Sequence, residues 1–114
     1  MAFSEIELRR IDEVIGGLCR RRSPAHLADK LKLAYEVKGH NVVVFEVRPD
    51  WQDPTHRMRT PIARFRFVRT TRVWTLFWMR ADLKWHLYAP AKAVADLVSL
   101  VAVVDRDEHC AFFG

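Results

Sequence analysis

The stretch from Leu31 to Arg48 constrains the fold most. Leu31, Leu33, Tyr35 and Val37 alternate with Lys32, Ala34, Glu36 and Lys38. A period of two is the mark of a strand with one buried face. Gly39-His40-Asn41 follows, and then a second apolar run from Val42 to Arg48. This predicts a β-hairpin with a three-residue loop, Asn41 taking the left-handed position. That register sets Val43, Phe45 and Val47 opposite Val37, Tyr35 and Leu33, and gathers six large apolar residues on one face.

Three further strands are predicted over Ile62 to Val68, Val73 to Met79 and Lys84 to Tyr88. Pairing the first two puts Ala63, Phe65 and Phe67 beside Trp78, Leu76 and Trp74. The last adds Trp85 and Leu87, so Trp74, Trp78 and Trp85 are all expected in the core. Pro49 to Thr60 reads as a long connection anchored by Trp51, and connections of that length are often functional.

A helix is predicted on each side of the strands. Ser4 and Glu7 have the spacing of a capping box, with Phe3 and Leu8 at the staple positions. Leu8, Ile11, Ile15, Leu18 and Cys19 form one apolar helical face. Gly16 and Gly17 weaken its middle or allow close packing, Arg20 to Arg22 suit its C-terminal dipole, and Pro24 stops it. Ser23-Pro24 is read as the cap of a short turn through Asp29. The second helix is predicted from about Pro90, with Val94, Leu97, Val98, Val101 and Val104 on its apolar side. Phe112 and Phe113 are expected to dock back on the core. The result is a single α+β domain over residues 1–114. It is a five-stranded antiparallel meander with the N-terminal and C-terminal helices packed on one face.

Composition narrows the class. Half of the 114 residues are hydrophobic and 29% are charged, which excludes general disorder. No apolar stretch approaches the roughly 20 residues that span a bilayer, and no secretory leader is expected. Cys19 and Cys110 are far apart in the chain and read as two reduced thiols in a cytoplasmic protein. The net charge is +5, but its distribution says more. From Pro54 to Ala81 there is no Asp or Glu, while Arg57, Arg59, Arg64, Arg66, Arg69, Arg72 and Arg80 all fall there. A local basic field of this kind favours polyanions or acidic surfaces.

No Gly-rich phosphate loop, H-E-x-x-H or G-x-S-x-G is present. Glu36-Val37-Lys38 has the Glu-x-Lys spacing of metal-dependent nucleases, which would need Asp29 or Asp50 beside it. Strand alternation alone accounts for the same residues. Asp82, Lys84 and His86 form a cluster suited to proton transfer or phosphate, though turns and edge strands favour the same residue types. His109-Cys110 supplies two metal ligands where a stable zinc site needs about four. His26, His40 and His56 are scattered. No catalytic residue, cofactor or metal is predicted.

The face opposite the core is the better clue. The predicted register aligns Arg64, Phe77 and His86 in one row and Arg66, Thr75 and Tyr88 in the next, flanked by Ile62, Met79 and Lys84. Arg64, Arg66, Phe77, Lys84, His86 and Tyr88 are therefore the candidate binding residues of an open, basic, partly aromatic surface. The leading reading is a non-catalytic interaction module that forms a homodimer or docks a protein partner. The alternative is binding of RNA or single-stranded DNA by stacking and phosphate contact. A metal-dependent nuclease is the remote alternative, and a face covered by the 49–60 loop or the tail is a further reading.

Several segments also carry a resemblance. Phe45-Glu46-Val47-Arg48-Pro49, Trp74 through Trp78, Met79 through His86 and the Phe112-Phe113-Gly114 ending resemble an uncharacterised bacterial domain-of-unknown-function family, number three thousand and twenty-four. The resemblance covers nearly the whole chain, and the run from Trp78 to His86 is its most specific part. It implies a small bacterial cytosolic protein and brings no assigned activity.

Overall fold

The computed structural model describes residues 3–23, 31–53 and 55–113. The predicted turn between Ser23-Pro24 and Asp29 falls outside them, as does His26. Helix α1 (Glu5–Ile11) runs through a π-helical segment (Asp12–Gly16) into α2 (Gly17–Arg21). The strands follow as β1 (Lys32–Lys38), β2 (Asn41–Pro49), β3 (Arg57–Val68), β4 (Val73–Met79) and β5 (Trp85–Leu87). Helix α3 (Leu97–Arg106) comes last. The strands form one antiparallel sheet in chain order. The predicted α+β meander is the fold.

The N-terminal cap forms as the spacing dictates. The Glu7 N–H donates to Ser4 Oγ at 3.2 Å and the Ser4 N–H donates to Glu7 Oε1 at 2.8 Å. Each bond satisfies a backbone donor that the first helical turn leaves free. Phe3 is buried but Leu8 is not, so the staple is one-sided. Phe3 stacks instead on Trp74, with ring centroids 5.6 Å apart. The π-helical segment lies where Gly16 leaves space. A Cβ there would sit 2.8 Å from Asp12 Oδ1, the atom that accepts the Tyr35 hydroxyl.

One face of the sheet carries the core. Ile11, Ile15 and Leu18 from the first helices and Leu97, Leu100, Val101 and Val104 from α3 pack with Val42, Val44, Ala63, Phe65 and Leu76 of the sheet. Each of these side chains larger than alanine contributes roughly 1.5–3 kcal/mol when fully buried. Phe112 joins this core against Tyr88, with ring centroids 4.9 Å apart, and its N–H donates to Asp107 Oδ1. Phe113 lies under the Arg22 guanidinium.

Four local expectations are corrected. First, the β1–β2 loop has two residues, because Lys38 pairs with Asn41 and Val37 with Val42. Gly39, at φ 58°, is its left-handed residue rather than Asn41, and glycine suits the first position of a tight hairpin turn. The shift of one residue turns Val42 and Val44 into the core and moves Val43, Phe45 and Val47 to the other face. Second, much of the presumed 49–60 loop is strand. Glu46, Val47, Arg48 and Pro49 pair with Thr60, Arg59, Met58 and Arg57, and Trp51 at the tip is 85% exposed rather than an anchor. Third, β5 is shifted by one. Leu83 takes φ 62° in the turn, Trp78 pairs with His86, and Met79 pairs with Trp85. Trp85 and Leu87 therefore leave the core face. Fourth, α3 starts at Leu97 and not near Pro90, because the Asp96 side chain caps it. Val94 instead bridges Trp74, each N–H donating to the other's carbonyl. Leu100 replaces Val98 on the buried side.

Candidate ligand-binding face of the sheet

The face away from both helices is built by strand alternation. The β3–β4 register is the predicted one, pairing Arg64 with Phe77 and Arg66 with Thr75. Extended across the sheet, one row reads Glu36, Val43, Arg64, Phe77 and Leu87. The next reads Lys38, Asn41, Arg66 and Thr75. Met79 and Trp85 stand beside the first row. A bulge opposite Phe45 sends Ile62 into the core, so Ile62 does not flank this face as expected.

Of the six candidate residues, Arg64, Arg66 and Phe77 are on this face. His86 and Tyr88 are not, because β5 is shifted. His86 stands beside Trp78 on the opposite side, and Tyr88 is buried in the core against Trp78 and Phe112. Both line a separate depression of ≈ 400 Å³ with Arg80 and His109. Lys84 is exposed in the turn before β5, outside the strand. The expected Asp82 cluster forms only in part. His86 Nε2 lies 2.8 Å from Asp82 Oδ2, while Lys84 contributes its backbone N–H to Asp82 Oδ1. The His86 bond, then the Lys84 N–H, holds the Asp82 carboxyl below its usual range.

Sequence reasoning missed Val43, Phe45, Trp85 and Leu87, which occupy the vacated positions. The signal was ambiguous, since β2 and β5 carry apolar residues at both parities. All of these side chains but Leu87 shape a depression of ≈ 560 Å³ with Phe45, Val43, Pro61 and Trp85 as its apolar part and Glu36, Lys38, Asn41, Arg59 and Arg64 as its polar part. Arg59 donates to Glu36 at 2.8 Å with its guanidinium carbon 3.8 Å from the Phe45 ring centroid. Lys38 lies 3.7 Å from the same carboxylate.

Arg64 is held differently. Its Nε donates to Asn41 Oδ1 at 2.9 Å, and its guanidinium lies 4.9 Å from the Phe77 centroid. Among the described residues neither Arg64 nor Arg66 has a carboxylate within ion-pair distance. Burial, and then the neighbouring Arg66 charge, lower the Arg64 pKa from the usual arginine value. Arginine stays protonated under such shifts, so the face holds a partly desolvated, uncompensated charge. A ligand anion would relieve it.

Of the two alternative acids for the nuclease arrangement, Asp50 is out of reach. Asp50 accepts the Gln52 N–H at the hairpin tip, seven positions along β2 from the partner of Glu36, or roughly 23 Å at 3.3 Å per residue. Asp29 lies outside the described residues. His109 and Cys110 are exposed, and among the described residues no three His, Cys, Asp or Glu side chains gather as metal ligands.

A family model described as Domain of unknown function (DUF3024) matches residues 3–114. The chain belongs to this family. No curated protein and no solved structure matches it. For this DUF3024 domain, the residues Trp78 to His86 that carried the resemblance build the β4–β5 turn and bring Met79 and Trp85 to the open face. Among the described residues, no DUF3024 helix is long and apolar enough to cross a membrane.

Proposed function

We propose that this DUF3024 domain is a non-catalytic interaction module that uses the open face of its sheet to hold an acidic partner. The observation that carries the reading is the Arg64–Arg66 pair. Two cations project from one strand face, no carboxylate answers them among the described residues, and Arg64 is partly desolvated. A basic patch of this kind favours a partner that supplies the counter-charge. Free thiols at Cys19 and Cys110 support a cytoplasmic setting.

Self-association is the second reading, favoured by the apolar members of the Arg64 row, Val43, Phe77 and Leu87, the last 57% exposed. A two-fold interface presents the same patch from both copies, so it must also accommodate the Arg64–Arg66 pair of each. That charge makes an acidic partner the better fit.

Retention on immobilised poly-glutamate against rising salt tests the reading. The parent is expected to elute later than an Arg64→Ala/Arg66→Ala variant, and salt should erase the difference. Equal elution of the two sinks it. Sedimentation at micromolar concentration tests self-association, in which case Leu87→Glu would convert a dimer to a monomer.

A further inference from the structure

We infer that the acidic partner of the open face is single-stranded nucleic acid, with phosphates at Arg64 and Arg66 and a base against Trp85. The inference rests on the reading of this face as an anion site and adds the chemistry of the occupant.

Asn41 carries the argument. Its side-chain oxygen takes the Arg64 Nε–H at 2.9 Å and fixes the guanidinium. A guanidinium has five N–H donors, so the remaining donors stay available to a second acceptor. An aspartate at this position would aim the group equally well and neutralise it. The amide aims it without neutralising it, which is what a phosphate-binding arginine requires. Arg66 pairs across the ladder with Asn41 itself and is exposed. Arg64 and Arg66 are two residues apart on one strand face, roughly 6.8 Å along the strand. That is the scale of successive phosphates on an extended chain.

The rings decide between kinds of polyanion. Trp85 is half-buried at the depression and Phe77 stands in the Arg64 row. An acidic peptide has carboxylates for the arginines but needs no flat ring. A single strand has both the phosphates and the unstacked π-faces. A duplex keeps its bases stacked on each other, so it could use the arginines but not the rings.

The test is fluorescence anisotropy of labelled twelve-nucleotide dT and rU strands, a duplex of equal length and poly-glutamate, each against salt. The parent should bind the single strands more tightly than the duplex. Asn41→Asp should lower single-strand affinity at least about tenfold and flatten the salt slope by about 0.7, the share of one phosphate contact. Trp85→Ala should lower affinity roughly 5- to 150-fold with the slope unchanged. Arg66 is exposed, so Arg66→Glu preserves the fold and should reproduce the Asn41→Asp loss should that variant prove unstable. Duplex binding equal to single-strand binding, or single-strand binding indifferent to Asn41→Asp, Arg66→Glu and Trp85→Ala, overturns the inference. Poly-glutamate binding without oligonucleotide binding overturns it while leaving the acidic-partner reading intact. Binding of neither polyanion removes both.

Discussion

Arg59 sits above Phe45, its guanidinium carbon 3.8 Å from the ring centroid, and donates to Glu36 from that position. Phe45 is on the open face yet only 8% exposed, and this arginine lies over its ring. Arg59→Ala should destabilise the domain by about 0.5–2 kcal/mol through lost cation–π contact and lost cover of the ring. Arg59→Met should restore part of that loss, since a methionine can cover the ring without charge. Urea unfolding of the three proteins measures this, and equal midpoints would show that the cover contributes nothing.

The two tryptophans Trp74 and Trp85 should behave oppositely. Trp74 is buried between Phe3 and Phe67, whose centroids lie 5.6 and 5.1 Å away. Trp74→Ala should cost about 3–5 kcal/mol. Trp85 is half-buried on the open face, and its removal should cost under about 1.5 kcal/mol. Comparable losses in denaturant unfolding would contradict the β5 register.

The Glu7 carboxyl is held down at about 2, against 4.5 for the free side chain, first by the Arg69 hydrogen bond and then by the Ser4 N–H. The unfolded chain therefore takes up this proton before the folded one does. The stabilisation is complete above about pH 4.5 and is lost as pH falls toward 2. Glu7→Gln should be less stable than the parent at neutral pH and should lose less on acidification. Melting temperatures from pH 6 downward read out both, and parallel acid limbs for the two proteins would refute the linkage.

The thiols should separate by reactivity. Cys110 is exposed, whereas Cys19 is buried and its pKa is pushed up to about 11, chiefly by desolvation. The thiolate is the reactive form, so one equivalent of thiol reagent should react quickly with the native protein, and a second only in denaturant. Rapid loss of both thiols under native conditions would show that α2 opens readily.

Sequence alone is decisive where the alternative placement is polar. In β3, Ala63, Phe65 and Phe67 hold one parity while Arg64 and Arg66 hold the other, and this strand fixes β4, whose Val73, Phe77 and Met79 are apolar opposite Trp74, Leu76 and Trp78. A register slip there would have buried arginine, so the pattern admits one answer. The Ser4–Glu7 cap and the Ile11, Ile15 and Leu18 face follow from equally one-sided local chemistry. Tertiary structure decided the rest. Val42 to Phe45 is apolar at both parities, as are Trp85 to Tyr88 apart from His86, so hydrophobicity could not choose which side faces the helices. The two-residue turn at Gly39 and the left-handed Leu83 chose it. Polar Arg57 to Thr60 became strand because β2 offered backbone partners, which a ladder requires whatever the side chains are. Pairing with Trp74 likewise drew Val94 out of helix α3, and Asp96 set the helix start.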